Sequence, residues 1–119
     1  MRRLILVLSS TMLISNITHA ADSVGAGNAD AGRQFWTKQF TQDSEIRSCA
    51  SCHTADPRQP GKHVGTGKAI KPLNPTVNAL SLTDPKKIEK WFRRNCKWTL
   101  GRECTADEKS DVLAFLKTF

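Results

Sequence analysis

Cys49-Ala50-Ser51-Cys52-His53 sets two thiols three residues apart, with an imidazole directly after the second. That spacing suits covalent haem attachment. Two intervening residues let both sulfurs reach neighbouring edges of one porphyrin and add to its vinyl groups, while the next residue projects its imidazole toward the iron. A bare Cys-x-x-Cys also serves two other chemistries. A thioredoxin-like redox disulfide would sit in a βαβ pattern, which this sequence lacks, and a zinc site would have to recruit Cys96 and Cys104, spaced too widely for a paired knuckle.

The N-terminus supports the haem reading through its destination. Arg2 and Arg3 precede an apolar stretch from Leu4 to Ile14, and Thr18-His19-Ala20 is a small-residue cleavage site. This pattern predicts a secretory signal peptide over residues 1–20, cut after Ala20 or Ala21. The stretch is well below the ~20 residues that span a bilayer, so no membrane anchor remains after cleavage. A bacterial periplasm is the expected compartment. In that oxidising setting Cys96 and Cys104 are best joined as a disulfide, since the other two sulfurs are committed to haem.

Cleavage also restricts the iron's sixth ligand. Met1, Met12 and His19 leave with the signal, so the mature chain has no methionine and only His53 and His63 among histidines. A methionine-ligated carrier is thereby excluded. His63, a lysine, Asn95 or an open position remain. His63 lies in the polar run Gly61-Lys62-His63-Val64-Gly65, where a solvated imidazole or a propionate contact is the simpler reading. Asn95 falls on the apolar side of a helix, and a buried amide requires a partner. From the pattern alone a backbone group at the helix end, near Cys96, is a slightly better partner than an iron.

Charge bears on partners. Without Arg2 and Arg3 the chain holds 16 basic and 11 acidic residues, a formal charge of +5. A small basic electron carrier meets acidic partners, because complementary fields speed encounter. Nucleic acid is the poorer explanation, since the basic residues form no single run and an exported protein meets little of it.

The elements that must position these groups read as helical. Residues 21–28 are rich in Gly, Ala and Ser and read as a flexible tail, leaving 29–119 as one domain. Asn28 caps a first helix to about Phe40, with Ala31, Phe35, Trp36 and Phe40 as its apolar face. Thr54 to Leu82 holds four prolines and three glycines, loops and turns that need a solid ligand to organise them. Asp84-Pro85 opens a helix carrying Ile88, Trp91, Phe92 and Asn95 at i, i+3, i+4 and i+7. Thr105-Ala106-Asp107-Glu108 is a capping box for a last helix bearing Val112, Leu113, Phe115, Leu116 and Phe119. No strand-like alternation is evident, so the expected class is all-α.

The run Ile88-Glu89-Lys90-Trp91-Phe92-Arg93-Arg94-Asn95-Cys96-Lys97-Trp98-Thr99, then Gly101-Arg102-Glu103-Cys104-Thr105, closely resembles the sphaeroides haem protein family of monohaem class I cytochromes c. Thr66-Gly67-Lys68 and Pro72-Leu73 fit as well, so the likeness covers nearly the whole mature chain. The resemblance implies a small class I cytochrome c fold around one covalently attached haem c. It implies that Asn95, directly before the first cysteine of a Cys96–Cys104 disulfide, ligates ferric haem opposite His53. An amide oxygen is a hard, weak donor, better suited to ferric than to ferrous iron, so reduction favours its release.

The family further implies binding of oxygen or nitric oxide in the reduced state, and electron exchange with a dihaem cytochrome c. Electron transfer is the expected primary role of a monomer. No distal acid, base or peroxide-handling histidine points to efficient enzymatic turnover. Three accessory expectations complete the reading. The Pro72 carbonyl orients His53; Trp91, Phe92 and Trp98 shield the haem; and Arg93, Arg94 and Arg102 are placed to meet propionates or solvent.

Overall fold

The computed structural model describes residues 26–119. The expected signal peptide lies outside these residues. The chain runs α1 (Ala29–Thr37), β1 (Phe40–Gln42), β2 (Glu45–Arg47), α2 (Ala50–His53), β3 (Gly61–Lys62), β4 (Ala69–Ile70), α3 (Pro85–Leu100) and α4 (Ala106–Leu116). Helices dominate, as expected, and each long one begins at its expected cap. Asn28 Oδ1 accepts from the N–H groups of Asp30 and Ala31 at 2.9 and 3.1 Å. Asp84 Oδ1 accepts from Lys86 and Lys87 at 3.0 and 3.2 Å. Thr105 and Glu108 bond each other's backbone N–H in a complete capping box. Each side chain replaces an acceptor that the first helical turn lacks.

The core forms where α1 crosses α4. Trp36, Val112, Phe115 and Leu116 are buried there, with Phe35, Leu73, Leu82 and Phe92 packed around them. Two glycines make the crossing close. A Cβ on Gly32 would lie 2.0 Å from the Asp111 carbonyl oxygen, and one on Gly27 would lie 1.9 Å from that of Ser110. The end of the expected loose tail is therefore pinned: Gly27 rests on α4, and the Asn28 N–H donates to Asp111 Oδ1 at 2.6 Å.

Two departures from the sequence reading are local. α1 stops at Thr37, so Phe40 belongs to β1 instead of the helix. Four short strands also form, as two antiparallel hairpins, β1–β2 and β3–β4. Strands of two or three residues are too short to write a period of two into the sequence. The β1–β2 turn, Asp43-Ser44, has positive φ at both residues, the two-residue hairpin geometry, without the glycine that usually signals it.

α3 ends at Gly101, whose φ of 74° closes the helix in the left-handed conformation. A disulfide then ties Cys96 to Cys104, one residue before the α4 cap, as expected. The Lys109–Glu89 ion pair at 2.8 Å adds a second link between α3 and α4.

Candidate haem site

α2 and its N-cap residue carry the two free thiols and the imidazole on just over one turn, Cys49 at the cap and Cys52 and His53 in the helix. Ser48 and Ser51 fix its start: the Ser48 N–H donates to Ser51 Oγ at 3.0 Å, and the Ser51 N–H to Ser48 Oγ at 3.1 Å. Thr54, with a φ of 64°, ends it, and the chain turns away. Gly61 of β3 then presses on the helix from outside, where a Cβ would sit 2.1 Å from the Cys52 carbonyl oxygen. Trp36 supports the segment from the core. Its indole N–H donates to the Thr54 carbonyl at 2.8 Å, and its ring lies 5.5 Å from that of His53.

The protonation chemistry separates the competing readings. Burial, reinforced by neighbouring Cys52, pushes the Cys49 thiol up to about 11, and burial holds His53 below the usual imidazole range. A protonated thiol is a poor redox nucleophile, since that task needs the thiolate. The zinc alternative loses its partners, because Cys96 and Cys104 are bonded to each other. No group of three or more His, Cys, Asp or Glu among the described residues is arranged to hold a metal ion. A neutral imidazole beside two unpaired thiols, by contrast, is the donor set that covalent haem requires. The residues fit that group.

The Pro72 expectation fails. Its carbonyl accepts from Asn78 Nδ2 at 2.7 Å, and neither ring nitrogen of His53 takes part in a hydrogen bond among the described residues. What the sequence reading missed is Asn74. This wholly buried side chain donates to the Leu116 carbonyl at 2.8 Å and accepts from the Thr76 N–H at 2.8 Å. The N–H groups of Leu73 and Asn74 both bond the Pro57 carbonyl at 3.0 Å. Asn74 thereby straps the long loop to α4. The Asn-Pro dipeptide announced a turn, but nothing local revealed the α4 carbonyl that its amide meets.

α3 presents Asn95 differently from the expected apolar face. The residues turned into the protein are Ile88, Phe92, Cys96 and Thr99, spaced i, i+4, i+8 and i+11. Asn95 lies beside that face, exposed, with Trp91 one turn before it and Trp98 one turn after. Its amide takes part in no side-chain hydrogen bond among the described residues, so the expected backbone partner near Cys96 is absent. The cost of a buried amide therefore does not arise. Trp98 is held between two other elements: Arg47 lies 4.5 Å above its ring and donates to its carbonyl at 2.9 Å, while the His63 ring lies 6.3 Å away.

His63 has its own task. Its Nδ1 accepts from the N–H groups of Gly65 and Thr66, each at 3.1 Å, closing the β3–β4 loop. Arg102 is likewise engaged, bonding both Glu108 carboxylate oxygens at 2.8 Å, which removes it from the propionate candidates. Arg94 lies 5.2 Å over the Trp91 ring.

Comparison with known proteins agrees with this construction. Residues 22–116 match a family described as a domain of unknown function, DUF1924. Cytochrome c'' of Methylophilus methylotrophus is 39% identical over 106 residues, covering 87% of this chain and 74% of that protein. The cytochrome c-type protein SHP of Cereibacter sphaeroides is 38% identical over 109 residues, covering 91% of this chain and 82% of that protein.

Solved structures give the same result. Oxidised cytochrome c'' superposes with a TM-score of 0.72 at 39% identity, covering 78% of this chain and 76% of that one. Oxidised SHP, described as an oxygen binding cytochrome c, gives 0.72 at 37% identity, covering 78% and 83%. A solution structure of cytochrome c'', concerned with haem-ligand detachment, gives 0.69 at 38% identity, covering 78% and 76%. The helical frame thus has named counterparts, and the chain belongs to the family of small monohaem c-type cytochromes that includes cytochrome c'' and SHP, with covalently attached haem c as its cofactor.

Proposed function

We propose that this protein is a periplasmic electron-transfer cytochrome whose distal ligand, Asn95, is released on reduction. Bound haem supplies a one-electron iron couple. The chain's residues divide the remaining work. Cys49 and Cys52 anchor the group through thioethers. His53, kept neutral by burial and backed by Trp36, would hold the iron permanently. Asn95 would supply its amide oxygen as the second, releasable ligand, and the Cys96–Cys104 disulfide ties down the helix turn that carries it.

One observation carries the choice of Asn95. Its side chain is exposed and free of hydrogen bonds, whereas Nδ1 of His63 already accepts from two backbone N–H groups. His63 is thereby committed to closing the β3–β4 loop. Among the described residues no helix is long and apolar enough to cross a membrane, consistent with a soluble carrier after signal cleavage. A second c-type cytochrome, dihaem by the family likeness, is the proposed electron partner.

A second reading has specific support in the relative described as an oxygen binding cytochrome c. If Asn95 leaves the ferrous iron, that position accepts diatomic ligands such as oxygen or nitric oxide.

Absorbance spectra of the holoprotein test both readings. Asn95→Ala should keep the haem covalently attached but make ferric iron five-coordinate or water-bound, while His63→Ala leaves the ferric spectrum unchanged. The ferrous wild type should bind carbon monoxide. A ferric spectrum of Asn95→Ala identical to wild type removes Asn95 from the iron. A ferrous form that stays low-spin and ignores carbon monoxide removes ligand release.

A further inference from the structure

α3 carries three distinct stripes. At about 100° per residue, Ile88, Phe92, Cys96 and Thr99 point into the protein, and Trp91, Asn95 and Trp98 follow beside them. The remaining arc, about 120° wide, holds Lys86, Lys87, Lys90, Arg93, Arg94 and Lys97. All six are exposed, and none forms an ion pair among the described residues. The one acidic residue on α3, Glu89, is taken by Lys109.

This stripe works against the helix that bears it. Lys86 and Lys87 stand in the first turn, where the macrodipole is already positive, and that turn has no acidic residue. Lys86 and Lys90, Lys90 and Arg94, and Arg93 and Lys97 are like-charged i,i+4 pairs, each repulsive. Elsewhere three of the four described arginines are neutralised: Arg47 pairs with Glu45, Arg58 with Asp56 and Arg102 with Glu108, while Arg33 lies over the Phe115 ring. The concentration of unpaired charge on α3 is therefore unfavourable in the free protein and becomes favourable when opposite charge covers it.

We infer that the basic stripe of α3 is the docking surface for an acidic redox protein. Its position follows from the stripes: Asn95 lies one step around the helix, and Arg94 bridges the two by lying over Trp91. Docking there places the partner beside the proposed distal ligand. The stripe carries no row of apolar side chains for insertion between lipids, which separates it from a membrane-binding helix. The role of the partner rests on the electron-transfer reading, while its binding does not.

The test uses holoprotein and flavodoxin, an acidic one-electron donor, as the probe. A triple variant, Lys86→Glu with Lys87→Glu and Lys90→Glu, is compared with Lys62→Glu, Lys68→Glu and Lys71→Glu on and beside the β3–β4 hairpin, an equal change in net charge. Calorimetric titration with oxidised flavodoxin should show binding by the wild type at low salt, a loss of at least about tenfold in the α3 variant, and less than about threefold in the hairpin variant. Equal losses in the two variants, or no loss in the α3 variant, overturn the assignment. Tighter binding to vesicles of equal phosphatidylcholine and phosphatidylglycerol than to flavodoxin, abolished by the α3 substitutions, overturns it in favour of a membrane. Haem reduction by flavodoxin hydroquinone, followed separately, tests the electron-transfer role: binding without reduction sinks that role and leaves the surface standing.

Discussion

Gly32→Ala sets two physical effects of opposite sign against each other. Alanine is the better helix former, and in an exposed helix the change would stabilise by about 1 kcal/mol. Gly32 is not exposed: its new Cβ would stand 2.0 Å from the Asp111 carbonyl oxygen and 2.9 Å from Phe115 Cβ. Ordinary contact needs about 3.5 Å, so α1 and α4 must separate by roughly 1.5 Å. The obstacle is helix backbone, so no side-chain rotation relieves it. Separation loosens the contacts of Trp36 with Val112, Phe115 and Leu116, and gaps of 0.5 to 1 Å already forfeit about a quarter to a half of the attraction between facing atoms. It also strains the Asn28 N–H bond to Asp111, now 2.6 Å.

Overpacking costs about 1 to 3 kcal/mol, and a backbone obstacle belongs at the upper end. The net expectation is a loss of about 2 kcal/mol, which for a domain of this size lowers Tm by roughly 10 °C. Thermal unfolding of the ferric holoprotein, followed by far-ultraviolet circular dichroism, measures it. A Tm equal to or above that of the wild type would falsify the close-crossing argument, because helix propensity alone would then decide the outcome.

Asn74→Ala leaves the buried Leu116 carbonyl without its partner and frees the part-buried Thr76 N–H, so a loss of about 1 to 3 kcal/mol is expected in urea unfolding. A midpoint unmoved by the substitution would mean that water replaces the amide. Glu108 is held at about 2, chiefly by the Arg102 guanidinium and also by the Thr105 backbone. A depressed carboxylate stabilises the fold above its unfolded pKa, so its contribution should fade as pH falls from about 5 toward 2. Arg102 is half exposed, which limits the pair to about 1 kcal/mol near neutrality. Glu108→Gln should therefore lower Tm at pH 7 but converge with wild type near pH 2, and a constant offset would contradict this assignment. Replacing Cys96 and Cys104 by serine should cost about 2 to 3 kcal/mol while Cys49 and Cys52 retain haem on denaturing gels. Loss of the haem stain would show that attachment depends on the disulfide.

The helix starts were legible because each is written in a few adjacent residues: Asn28, Asp84-Pro85 and Thr105 with Glu108. The thiol–imidazole segment was legible for the same reason. Features made by distant residues were not. Asn74 meets a carbonyl 42 positions away, and the Arg47–Trp98 bond spans 51. Gly32 reads as an ordinary helix glycine until α4 is laid across it. The α3 face was half legible. Ile88 and Phe92 were placed on the buried side, but choosing the i+7 step led to Asn95, whereas the helix buries i+8, Cys96, which the disulfide draws inward.

The α1–α4 crossing also bears on the order in which the protein becomes itself. The bond between Asn28 and Asp111 joins residues 83 apart, and the whole haem-bearing stretch lies between them. Trp36 is not fully covered until Val112, Phe115 and Leu116 exist. A partly synthesised chain therefore cannot close its core, and closure of so long a loop is slow compared with local helix formation. During that interval Trp36 can already reach α2, since the Thr54 carbonyl that it bonds lies only 18 residues away, but the core stays open on its α4 side. Contact between the two ends thus follows the local helices and closes the core around the stretch between them.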